Sequence, residues 1–133
     1  MEQGDTIAEA NFVPLFCPVK EASEIMNVIL MMTTVPDTTI AEKLTTEILA
    51  ARLAACATQL GATRSSFHWQ SKIESADEIQ LLFKTSIARA QELEQFILSH
   101  HPYDTPEILS WQAIASAAYG QWVNAETQRP IHV

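Results

Sequence analysis

The stretch Ser99-His100-His101-Pro102-Tyr103-Asp104-Thr105-Pro106-Glu107 holds the densest polar chemistry of the chain, including two of its four histidines. Imidazole is the commonest side-chain ligand for copper and zinc, so His100 and His101 are the first candidates for holding a divalent cation. Their spacing argues against chelation by the pair alone. Adjacent residues on a helix point about 100° apart, whereas an i,i+4 pair shares one face. A metal would need one histidine together with Glu107 or a residue of another subunit. The competing reading is structural: histidines in a last helical turn complement the helix dipole and donate to free carbonyls, and Pro102 stops the helix.

Other reactive residues make weaker cases. Cys17 and Cys56 form no C-x-x-C, and Cys56 within Leu53-Ala54-Ala55-Cys56-Ala57 reads as a small buried hydrophobe in a reduced, cytoplasmic protein. With only Gly4, Gly61 and Gly120, no glycine-rich phosphate cradle exists, and there is no G-x-S-x-G. An enzyme is not expected. Lys84 ends an alternating strand and is either a solvated edge charge or a pocket cation. Trp69, Tyr103, Trp111 and Trp122 read as core or interface anchors rather than cofactor-stacking groups.

Net charge is −8, and the eight Lys plus Arg are spread singly, so no basic stripe could neutralise a phosphate backbone. Nucleic acid is excluded as a partner on that ground. No apolar run approaches the ~20 residues of a membrane-spanning helix. The Phe12 to Val19 patch is broken by Pro14 and Pro18 and does not read as a secretory signal.

The elements that must position these residues follow from periodicity. Of the 133 residues, 47% are hydrophobic and 18% charged, enough for one core. Residues 1–25 read as an N-terminal arm and 26–133 as the domain. Val28 to Thr34 is a short continuous apolar run, the mark of a central strand. Asp37 can cap a helix with the stripe Ile40, Leu44, Ile48, Ala51 and Ala55, and Lys43 can pair with Glu47 on its exposed side. Cys56 to Gln70 predicts a strand bent near Gly61. Gln70 to Lys72 and Glu74 to Asp77 offer turns, and Glu78 to Thr85 alternates as the partner strand.

This hairpin is long for the domain, and its unpaired edge predicts oligomerisation. A second helix runs from about Ile87 into the histidines. Glu107 to Ile114 follows as a strand with Leu109, Trp111 and Ala113 facing one way. Ser116 caps a last helix whose buried stripe is Tyr119, Trp122 and Val123; Gln128 to Val133 shows no element. The order β-α-β-β-α-β plus a terminal helix predicts an α+β, ferredoxin-like split βαβ fold: an antiparallel sheet with helices on one face. The other face calls for a second subunit.

Thr34-Val35-Pro36-Asp37, Leu53-Ala54-Ala55-Cys56-Ala57, Trp69-Gln70-Ser71-Lys72-Ile73-Glu74, Phe83-Lys84-Thr85 and Ser99 to Ile108 together resemble the CutA divalent-cation tolerance proteins, over about Val28 to Glu126. The resemblance implies a PII-like homotrimer, cytoplasmic, tied to tolerance of copper and other divalent cations and without another cofactor. It places the family's metal positions on His100, His101 and Glu107, and its strand-end cysteine on Thr33. Without that thiolate, imidazole and carboxylate remain, which suit Cu(II) or Zn(II). Ser71 stands where many relatives carry glycine. An alternative function is a PII-like signalling or scaffold trimer that binds a small anionic ligand or a partner protein, with Lys84, Trp69 and Tyr103 lining the cleft.

Overall fold

The computed structural model describes residues 25–129. Strand β1 (Ile25–Val35) is followed by helix α1 (Thr38–Ala50), strands β2 (Cys56–Trp69) and β3 (Lys72–Thr85), helix α2 (Ala90–His100), strand β4 (Ile108–Ser116) and helix α3 (Ala117–Glu126). A single 3-10 turn, Ile87–Arg89, leads into α2. The sheet order is β2-β3-β1-β4, antiparallel throughout. This is the split βαβ arrangement expected, with the apolar run of β1 at its centre. The expected arm lies outside the described residues except for Ile25, which already belongs to β1.

Alternation along β1 sends Met31, Thr33 and Val35 to one face, and the register brings Phe83, Leu81 and Ile79 beside them. Leu44 and Ile48 from α1 and Leu93 and Ile97 from α2 close over these residues to form the main core. Asp37 caps α1 as expected, accepting from the Ile40 amide at 2.9 Å. The Lys43–Glu47 pair forms at 2.8 Å. The helix ends at Ala50, so Ala51 and Ala55 do not extend its stripe; the buried face is Ala41, Leu44 and Ile48.

Two further expectations change. Cys56 is half-buried at the start of β2, not a core residue. Residues 74–77 are strand rather than turn, because β3 pairs with β2 all the way to Lys72. The turn itself is Gln70-Ser71, both with positive φ (50° and 66°). That is the handedness two-residue hairpins prefer, and Ser71 adopts it without being glycine. Farther down β2, a register shift between Gln59 and Gly61 leaves Leu60 as the bulged residue, with Gly61 at φ +121°.

β1 pairs with β3 only over Ile79 to Thr85. The outer half of the hairpin therefore projects past the sheet, with Phe67, Trp69 and Ile73 exposed. The opposite sheet face carries Leu30 and Met32, beside Trp111 and Leu109 of β4 and Leu82 of β3. Helix α3 covers only the Met26 end of this face, where Gly120 packs against Met26. Tyr119 and Trp122 are 40% and 44% exposed, so the expected stripe of α3 shrinks to Gly120 and Val123. The two rings lie 5.7 Å apart between centroids, and on β4 Trp111 is 43% exposed.

Candidate functional site

Helix α2 ends at His100, and the extended backbone of His101 followed by Pro102 turns the chain across the end of β1. The two histidines part at this corner. The Nδ1 of His100 donates to the Phe96 carbonyl one turn back at 2.9 Å, and its ring stacks on Phe96 at 3.9 Å between centroids. That bond satisfies a carbonyl of the last turn. In the neutral ring it leaves Nε2 with an open lone pair on an exposed side chain.

His101 points inward. Its Nδ1 accepts from the Tyr103 backbone N–H at 3.1 Å, so the proton sits on Nε2, which donates to the Thr34 carbonyl at 2.7 Å. Both ring nitrogens are engaged. Burial holds this imidazole below its ordinary pKa, against the opposing pull of the Thr34 carbonyl and the Glu78 carboxylate. His101 thus ties the loop after α2 to the end of β1.

Tyr103 continues the network. Its hydroxyl donates to Glu78 Oε2 at 2.9 Å. Burial first, then the bond to Glu78 and its charge, and then Asp37 push the phenol up to about 12, so it remains a donor at neutral pH. Glu78 is 7% exposed. Alternation puts Glu78 on the face opposite Ile79, Leu81 and Phe83, yet it is buried, with the Tyr103 hydroxyl bonded to it at the point where β3 leaves β1. No local sequence signal marks that burial.

The remaining candidates are scattered. Glu107 is exposed in the loop before β4, whereas Thr33 is fully buried in the core with no hydrogen-bond partner for Oγ1 among the described residues. No group of three or more His, Cys, Asp or Glu able to hold a metal occurs among the described residues. Lys84 lies on the open sheet face, its Nζ bonded to Thr58 Oγ1 and 3.8 Å from Cys56 Sγ, its cross-strand neighbour. Burial, then Cys56, push the Tyr119 phenol beside that cysteine up to about 12. Trp69 sits at the far end of the same hairpin, roughly 40 Å along β2 at about 3.3 Å per residue. Lys84, Trp69 and Tyr103 therefore do not line one cleft within a single chain.

Among the described residues no helix is long and apolar enough to cross a membrane. The family model described as CutA1 divalent ion tolerance protein matches residues 29–126. A Divalent-cation tolerance protein CutA from Citrobacter koseri is 38% identical over 98 residues, covering 73% of this chain and 85% of that protein. The crystal structure of CutA from Xylella fastidiosa superposes with a TM-score of 0.74 at 37% identity, over 76% of this chain and 98% of that one. The protein from Archaeoglobus fulgidus, described as a periplasmic divalent cation tolerance protein, gives a TM-score of 0.72 at 26% identity, over 76% and 99%. Matched over residues 29–126, which hold most of the sheet, both core helices and the histidine corner, this chain belongs to the CutA divalent-cation tolerance family.

Proposed function

We propose that this chain works as a homotrimer that binds copper or another divalent cation weakly in clefts between subunits, and acts in tolerance to such ions without catalysing a reaction. Family membership over residues 29–126 is the observation that carries this reading. The metal part rests on His100, whose open Nε2 makes it the better ligand of the histidine pair. His101 has no free lone pair, and its role is to hold the wall of the cleft. Glu107 is exposed and able to contribute a carboxylate, while Thr33 supplies no thiolate; an imidazole–carboxylate set favours Cu(II) or Zn(II). One histidine and one carboxylate make a weak site, so a second subunit has to complete the shell.

The trimer is supported by the uncovered sheet face and the projecting hairpin. Leu109 and Trp111 on β4 and Tyr119 and Trp122 on α3 are all exposed, and the outer hairpin offers unpaired strand edge. A cytoplasmic location belongs to the same proposal, supported by Cys56 having no disulfide partner among the described residues. Anion binding by a PII-like signalling trimer is the lesser alternative, because the buried Glu78 carboxylate lies beside Tyr103.

Calorimetric titration of copper and zinc into wild type, His100→Ala and His101→Gln tests the metal reading. Heat lost in His100→Ala and retained in His101→Gln is expected; equal heats in wild type and His100→Ala reject it. Sedimentation equilibrium at micromolar protomer tests the trimer, and a folded monomer there rejects it. Fractionation of the native host tests the location.

A further inference from the structure

Lys84 is a half-buried cation, and none of the ion pairs among the described residues includes it. Its ammonium instead meets the Thr58 hydroxyl and the Cys56 sulfur, with Nζ and Sγ 3.8 Å apart. We propose that Cys56 and Lys84 form a redox-sensitive pair: oxidation by hydrogen peroxide joins Sγ to Nζ in a reversible sulfur–nitrogen bond, a sulfenamide, that staples β2 to β3 on the open sheet face.

The sheet register brings the two side chains together. Cys56 is the first residue of β2 and stands directly opposite Lys84 on β3, so both project to the same face. Residues opposite each other in an antiparallel pair have Cβ atoms about 4.5–5.5 Å apart, within reach of an amine on a flexible stem. A backbone bond of 2.9 Å from the Ala55 amide to the Lys84 carbonyl pins this end of the ladder. Thr58, two residues along the same face, holds Nζ from the diagonal position. Tyr119 of α3 lies against the sulfur as well: burial, and after it Cys56, raise its phenol. Cys56 is half-buried, which leaves a path for a molecule as small as peroxide.

The chemistry runs in two steps. The sulfur of Cys56 attacks one oxygen of the peroxide, the O–O bond breaks, and the thiol becomes a sulfenic acid while the peroxide is reduced and leaves as water. The Lys84 amine, having given its ammonium proton to solvent, then donates its electron pair to Sγ. The S–O bond breaks, and the leaving hydroxide takes an amine proton to form a second water. In sum, one thiol, one amine and one peroxide give one S–N bond and two waters, with two electrons passed from sulfur to peroxide. Holding the amine against the sulfur makes this capture effectively unimolecular, which favours it over a thiol arriving from solution. The bond removes a positive charge from the open face, and it involves neither His100 nor Glu107, so it stands apart from the metal reading.

The test uses the full-length chain with Cys17→Ser, treated with hydrogen peroxide, digested, and analysed by mass spectrometry before and after dithiothreitol. We expect the segments carrying Cys56 and Lys84 to be recovered as one linked species, lighter by two hydrogens than the sum of its parts, and dithiothreitol to separate them. The species is absent from Cys56→Ser and from Lys84→Arg, which keeps the charge and loses the amine. Fragment sequencing locates the bond in the chain with Lys84 intact, so the result stands even where a variant misfolds. Cys56 recovered as a free thiol, as an oxygen-bearing acid, joined to Lys84 through an inserted oxygen, or bridged to Cys56 of another copy overturns the proposal. A linked species that persists in Lys84→Arg overturns it too.

Discussion

Tyr103→Phe removes the hydroxyl that donates to Glu78 Oε2 and keeps the ring in place. Glu78 is 7% exposed, so its orphaned oxygen cannot simply return to water. A hydrogen bond to a charged group contributes about 1.5–3 kcal/mol net, and because Tyr103 is only half-buried the lower part of that range, about 1.5–2 kcal/mol, is expected. With a urea m-value of about 2 kcal/mol/M, the unfolding midpoint drops by roughly 0.8–1 M. Protomer concentration is held constant, since association of the folded state would otherwise shift the midpoint.

Glu78→Gln supplies the spectroscopic counterpart. It keeps an acceptor for the phenol but removes the charge that helps raise it, so the Tyr103 pKa falls from about 12 part of the way towards 10. It does not reach 10, because burial is the largest cause and is unchanged. Tyr119 also titrates near 12, so the ultraviolet titration is read in a Tyr119→Phe background. A midpoint shift below about 0.2 M for Tyr103→Phe, with an unchanged phenol in Glu78→Gln, refutes the reasoning: solvent would then be satisfying the carboxylate.

His101 gives a pH signature. Its folded pKa lies below the unfolded value near 6.5, so between the two the unfolded chain binds the extra proton. The contribution is present above about pH 6.5 and is lost as pH falls from there through the lower folded value, with a slope of at most about 1.4 kcal/mol per pH unit. Denaturation across that window should show a flatter slope in His101→Gln; an identical slope assigns the dependence elsewhere. For Gly120→Ala, the new methyl would lie 2.5 Å from Met26 Cβ, on strand rather than at the end of a flexible side chain. Overpacking of about 1–3 kcal/mol outweighs the ~1 kcal/mol gained in helix propensity, so thermal denaturation should show a net loss, and a gain would show that α3 yields freely.

The element order was readable because each signal is local. The apolar run of β1, Asp37 as a cap, Gly61 at the bulge and Pro102 as a stop act within a few residues, and all four took the expected roles. Errors arose where pairing or length overrode local preference. Glu74 to Asp77 looks like a turn but is strand, because β2 supplies partners along its whole length. Ala51 and Ala55 continue a helical spacing past the actual end of α1 at Ala50. Tyr119 and Trp122 were expected inside, yet α3 meets only one end of the sheet face.

For the candidate site, the sequence determined which groups are available: two adjacent histidines at a helix end, a tyrosine, and acids before and after. Side-chain chemistry and a proline stop suffice for that. Only the tertiary structure decided their division of labour. His100 stays on the last turn of α2 with one nitrogen open, while His101 is spent between the Thr34 carbonyl and the Tyr103 amide. Glu78, 25 residues away from Tyr103 in sequence, is buried and accepts from its hydroxyl. The physical reason is that hydrogen-bond capacity is finite: a ring nitrogen engaged by backbone in the folded chain is unavailable to a metal, and that engagement depends on contacts distant in sequence.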